Sequence, residues 1–113
     1  MVIIGNAFSL KMLSREDISR LVVIPTSLED VKGIVHQFPF KSIIGHEGNA
    51  ELFSQLLGVE VPVNRVSFTL SNEDTLIVGL PSGWRLPEGK ILNKEELEAL
   101  QLDWFIVQLE DKK

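Results

Sequence analysis

The sequence contains no cysteine and no tyrosine among its 113 residues. Without cysteine there are no disulfides, no thiolate metal sites and no thiol nucleophiles. Such a chain fits a reducing compartment, and the expected location is the cytoplasm. Histidine occurs only at His36 and His46, and arginine only at Arg15, Arg20, Arg65 and Arg85. No apolar run approaches the roughly 20 residues needed to span a bilayer. The start, Met1-Val2-Ile3-Ile4-Gly5, lacks the basic region and long apolar stretch of a signal peptide. Positive charge is also in short supply. The net charge of −5 disfavours a long nucleic acid or an anionic membrane as the main partner, since both reward a cationic face. A small anionic ligand stays open, because two or three clustered arginines create a local positive site.

No histidine pair has metal-ligand spacing, and the acidic residues are spread along the chain, so neither a metal nor a cofactor is expected. Gly79, Gly83 and Gly89 match no dinucleotide-binding or P-loop pattern. What is present is ordinary globular material: 44% hydrophobic and 24% charged, with no repeat or linker, hence a single domain over residues 1–113.

Val2–Ile4 reads as a buried strand stopping at Gly5-Asn6, and Ala7–Leu13 has room for one helical turn. Leu21–Ile24 is a second strand ending at Pro25. Ser27 caps a helix running to about Val35, and Phe40–Ile44 is a third strand. Ala50, Phe53 and Leu57 share a helical stripe closed by Gly58. Val66, Phe68 and Leu70 alternate with polar residues as in a half-exposed strand, with Thr75–Leu80 as its antiparallel partner across the turn Ser71–Asp74. Pro81–Gly89 is a loop, and Asn93 with Glu96 caps a helix over Lys94–Leu100. Leu102–Leu109 is apolar on both faces, which calls for a helix on one side and suggests a partner subunit on the other. About five strands and three helices make an α+β domain with a mixed sheet.

His46 is the more informative histidine. It follows a buried strand, opens a helix, and stands where unpaired backbone amides face outward toward an anion. A protonated imidazole there can donate to a leaving oxygen; the alternative is a histidine that caps its own helix. In Arg85-Leu86-Pro87-Glu88-Gly89-Lys90, the arginine offers a planar fork for phosphate oxygens. Glu88 can orient that fork or accept a hydroxyl proton; the plainer alternative is a surface salt bridge. Arg65 is either a phosphate contact or a solvated edge charge. Asn6-Ala7-Phe8-Ser9 can hold a phosphate or form a simple turn. Trp84 can stack on a nucleobase or pack on its own domain. His36, at a helix end, is given no function.

Together these segments resemble a known family. Asn6-Ala7-Phe8-Ser9 with Met12-Leu13, then Ile44-Gly45-His46 with the helix ending Leu56-Leu57-Gly58, then Asn64-Arg65-Val66, then Arg85–Lys90 follow in the family's order. The family is that of the viral ring nucleases, anti-CRISPR proteins directed against type III systems. The resemblance implies a homodimer that opens cyclic tetra-adenylate without a metal, leaving linear oligoadenylates with 2′,3′-cyclic phosphate ends. It implies His46 as general acid and Glu88 as the residue that positions or activates the 2′-hydroxyl. It further implies Arg65 and Arg85 as grips on the ring, with Asn6, Ala7, Phe8, Ser9 and Gly45 lining the ligand. Some relatives carry a glutamine shortly before the Arg85 position, whereas Pro81-Ser82-Gly83-Trp84 stands here. Trp84 is the candidate to replace that contact by stacking. Two other classes remain in view: a protein that binds the cyclic oligonucleotide without cutting it, and a nucleic-acid-binding regulator, which the acidic charge disfavours.

Overall fold

The structure, a computed structural model, describes residues 1–14, 20–81 and 102–110. Short, mostly apolar runs make five strands among the described residues, β1 (Val2–Gly5), β2 (Arg20–Thr26), β3 (Phe40–Ser42), β4 (Thr75–Pro81) and β5 (Leu102–Glu110). They form one mixed sheet in the order β2-β5-β4-β1-β3. β1 lies parallel to both β3 and β4, while β5 runs antiparallel to β4 and β2.

Side chains from successive strand residues point to opposite faces, and the two apolar clusters follow that period. Ile4, Ile44, Ile77 and Trp104 face the helical side, whereas Ile3, Leu76, Val78, Val107 and Leu109 face the other. The first face is covered by α1 (Leu28–Gln37) and α2 (Glu47–Leu57) through Val31, Val35, Ala50, Phe53 and Leu57. The hydroxyl of Ser27 accepts from the amide of Asp30 at 3.1 Å and so starts α1. Gly58 ends α2 with φ of 71°, a conformation that favours glycine. His36 Nε2 lies 3.0 Å from the carbonyl of Leu57 and ties the ends of the two helices together. No helix among the described residues is long and apolar enough to cross a membrane.

The fold is the expected single α+β domain, but several local expectations need correction. Residues 66–70 form no strand. β4 already has both edges occupied, by β1 and β5, so no edge is left for a hairpin partner. Leu70 makes a single parallel bridge to Leu13 instead, its amide donating to the carbonyl of Met12 at 2.7 Å. Val66, counted as an inward position, is 53% exposed. β2 runs through Pro25 to Thr26, which a proline permits at a sheet edge, where an outward N–H has no ladder partner. β3 is shorter than Phe40–Ile44: beyond Ser42 the chain turns, and the serine hydroxyl accepts from the amide of Ile44 at 3.2 Å.

β5 has the two apolar faces its sequence suggests, yet the second is covered by this chain's own residues. Phe8, Met12, Leu13 and Phe68 pack there. That covering accounts for Val107 and Leu109, while Phe105 of the same strand is half-buried and lies outside both clusters. Among the described residues two α-helices and a 3-10 turn (Leu10–Met12) flank the sheet. The expected helix Lys94–Leu100 and nearly all of the expected loop Pro81–Gly89 lie outside the described residues.

Candidate functional site at the carboxyl ends of the parallel strands

Ligands on sheets with parallel strands gather in the crevice beyond the strands' carboxyl ends. Here β1 and β3 end together, with Ile4 opposite Ser42, whereas Gly5 lies opposite Val78 and β4 continues three residues further to Pro81. The segments that leave β1 and β3 on this edge are Asn6–Ser9 and Ile43–His46, two of the motifs singled out in the sequence. Adjacent strands bring them together: the amide of Ile43 donates to the carbonyl of Ile4 at 2.9 Å. A Cβ on Gly5 would stand 3.2 Å from the side chain of Ile43.

His46 occupies the N-cap position of α2 in extended conformation, but its side chain makes no capping bond. Helix initiation therefore uses only the backbone, with the amide of Ala50 donating to the carbonyl of His46 at 3.0 Å. The amides of the first turn keep their outward direction, and the helix dipole favours an anion in front of them. His46 itself is exposed. The alternative of a histidine that caps its own helix is not what the structure contains.

Arg65 joins this group from a distant part of the sequence. Its side chain lies across Gly45, where a Cβ would sit 3.6 Å from both Cγ and Nε. Asn64 fixes the approach. Its backbone amide donates to the carbonyl of Ile44 at 2.8 Å, and its Nδ2 donates to the carbonyl of Ser42, also at 2.8 Å. Among the described residues Arg65 has no ion-pair partner, in contrast to Arg20, which pairs with Glu110 at 3.2 Å. An exposed, unpaired guanidinium beside uncapped helix amides is a locally positive feature on an acidic protein.

Of the loop after β1, Asn6 is half-buried and Ala7 exposed, while Phe8 packs into the second apolar cluster. Ser9 begins the 3-10 turn, its hydroxyl accepting from the amide of Lys11 at 3.2 Å. The structure thus brings Gly45 and Arg65 together beside His46 beyond the end of β3, while Asn6, Ala7 and Ser9 follow the end of the adjacent β1 and Phe8 turns to the opposite face of the sheet. Trp84, Arg85 and Glu88 lie outside the described residues. No group of three or more His, Asp or Glu with metal-holding geometry occurs among the described residues.

Sequence reasoning passed over Asn49 and quoted Asn64 beside Arg65 without a role. Asn64 carries no pattern that announces its role, because its partners are the backbone carbonyls of Ile44 and Ser42, some 20 residues away. Asn49 did leave a signal. It stands four residues before Phe53 on the apolar stripe of α2, where a polar side chain is out of place.

Comparison with known proteins gives the family and the fold. The ORF117 protein of Acidianus two-tailed virus is 35% identical over 99 residues, covering 83% of this chain and 82% of that protein. Protein 26 of Sulfolobus islandicus filamentous virus (isolate Iceland/Hveragerdi) is 33% identical over 84 residues, 74% of this chain and 70% of its own. In fold, the chain is similar to B116 of Sulfolobus turreted icosahedral virus, with a TM-score of 0.78 over 95% of this chain and 97% of that one, at 24% identity. The model of the STIV B116-like family matches residues 2–104, and the chain belongs to this family, whose matched relatives are viral proteins.

Proposed function

We propose that the protein is a metal-independent ring nuclease that opens cyclic tetra-adenylate and thereby silences type III CRISPR signalling. The observation that carries this reading is His46 at the mouth of α2 without a capping bond, beside Gly45 with Arg65 laid across it. A phosphodiester seated on the first-turn amides has its charge matched by the helix dipole and the guanidinium. The 2′-hydroxyl oxygen attacks the adjacent phosphorus in line, and the bond from phosphorus to the 5′-oxygen breaks. His46 gives its proton to that departing oxygen, and the carboxylate of Glu88 takes the proton of the 2′-hydroxyl. The product end is a 2′,3′-cyclic phosphate. Arg65 and Arg85 hold the ring, Asn6 and Ser9 line it, and Trp84 stacks on a base.

The direct test is incubation of the protein with cyclic tetra-adenylate in EDTA, followed by chromatography. Linear oligoadenylates ending in cyclic phosphate are the expected products. Intact ring held tightly by the protein would replace the enzyme with a non-catalytic binder, and intact unbound ring would overturn the reading.

A ring of four identical nucleotides admits twofold symmetry, so a C2 homodimer offers it two equivalent sites. Sedimentation at assay concentration is expected to give a dimer; a monomer that still opens the ring would remove this part of the proposal.

Arg65→Ala is expected to weaken ring binding by roughly 10- to 100-fold, the usual worth of a hydrogen bond to a charged group. Its stability should hardly change, because the exposed side chain has no ion pair to lose among the described residues. Equal affinities by titration calorimetry would return Arg65 to the status of a solvated edge charge.

A further inference from the structure

Asn49 lies in the first turn of α2, three residues after His46, and is 7% exposed. Its Oδ1 is buried with no hydrogen-bond partner among the described residues. The other buried residues of α2 are Ala50, Leu52, Phe53 and Leu57, all apolar, so the helix seats itself on the sheet without needing an amide here. A buried polar group left unpaired lowers stability, and native proteins keep few of them.

Helical side chains lean toward the helix N-terminus, which carries the carboxamide of Asn49 back to the level of the first turn. Residues three apart are neighbours on a helix, so Asn49 and His46 flank the same mouth. The amides at that mouth suit a phosphate, but a phosphate diester brings no hydrogen for a carboxamide oxygen, which only accepts. What Asn49 lacks is a donor. A nucleotide supplies two: a ribose 2′-hydroxyl other than the attacking one, beside the phosphate, and the 6-amino group of adenine, on the base edge.

We propose that Asn49 contacts the ligand directly, its buried Oδ1 accepting a hydrogen from the nucleotide whose phosphate sits at the mouth of α2. The unpaired oxygen is then a site held ready for a ligand, at some cost to the stability of the free protein. This inference rests on the ring-nuclease reading for the identity of the nucleotide.

Asn49→Leu keeps the number of side-chain heavy atoms and removes all hydrogen bonding; Asn49→Ala does the same with less volume. Both are made in a His46→Ala background, where the ring stays intact, and binding is followed by calorimetry. Three probes are compared: cyclic tetra-adenylate, the same ring built on 2′-deoxyribose, and a cyclic tetra-inosinate, whose base carries a carbonyl in place of the amino group. Cyclic tetra-adenylate is expected to bind about tenfold more weakly to both Asn49 variants. With one of the two altered rings that difference should vanish, which identifies the donor. The Tm of Asn49→Leu should equal or exceed that of its parent, because an unpaired buried oxygen has gone.

Equal affinity for tetra-adenylate, or a difference that survives with both altered rings, would overturn the proposal. So would a lower Tm in both variants, since it would mean that the oxygen is bonded within the fold. If the His46→Ala parent binds none of the rings, the ring-nuclease reading itself falls and takes this inference with it. That result is distinct from a parent that binds and variants that do not differ.

Discussion

Replacing His46 by alanine is expected to slow ring opening by at least about 100-fold, the contribution of a positioned general acid. That factor corresponds to about 2.7 kcal/mol of transition-state stabilisation. The affinity for the intact ring should stay within a few-fold, because the amides of α2 and Arg65, not the imidazole, are assigned the phosphate charge. Stability should also be nearly unchanged. A capping side chain that loses its bond costs about 0.5–2 kcal/mol, but His46 makes no capping bond and is exposed. The substitution therefore separates three roles. A general acid loses rate alone, a ring-gripping residue loses affinity, and a structural cap loses Tm. Single-turnover kinetics with saturating protein isolates the first of these from the second. A variant that opens the ring at the wild-type rate would remove His46 from the mechanism.

Much of this arrangement was legible in the sequence where the signal is local. The span of α2 follows from the stripe Ala50, Phe53, Leu57 and the glycine after it, and the start of α1 from Ser27 three residues before Asp30. His46 could be placed because a strand, a glycine and a helix start are consecutive in the chain. Contacts between distant segments were not legible. The alternation at Val66–Leu70 looks like that of any half-buried strand, and nothing in those residues reports that both edges of β4 are taken. The packing of Arg65 on Gly45 depends on Asn64 reaching carbonyls of a strand end, which no spacing rule expresses. β5 shows both limits. Its two apolar faces were plain, but the identity of what covers the second, Phe8 and Met12 with Leu13, is a matter of tertiary structure. Trp84, Arg85 and Glu88, which carry the other half of the proposed chemistry, rest on sequence alone.

Phe53→Ala is expected to destabilise the protein by about 3–5 kcal/mol, the range for deleting a fully buried aromatic ring. Phe53 is 0% exposed and its ring lies 5.4 Å from that of Trp104, tilted by 57°. Both rings lie over Gly79, which pairs with Trp104 across the β4–β5 ladder. A Cβ on Gly79 would come within 2.8 Å of Trp104 Cζ3 and 3.0 Å of Phe53 Cζ. Gly79 has no positive φ, so the constraint is space and not backbone strain. Gly79→Ala should accordingly cost about 1–3 kcal/mol by overpacking. The two changes share one volume, because the ring removed from position 53 is one of the groups in the way of the added methyl. The double variant should therefore be less destabilised than the sum of the singles, by more than the ~0.5 kcal/mol scatter seen for independent sites. Denaturant midpoints at constant slope measure all three values. Additive losses would mean that Trp104 alone limits the space at Gly79. The packing also reaches the site: α2 carries Phe53 seven residues after His46, so a helix that settles differently on the sheet moves the imidazole with it. Displacements near 1 Å at a catalytic group lower rates by about 100-fold. Phe53→Ala should thus slow ring opening even at temperatures where the protein remains folded.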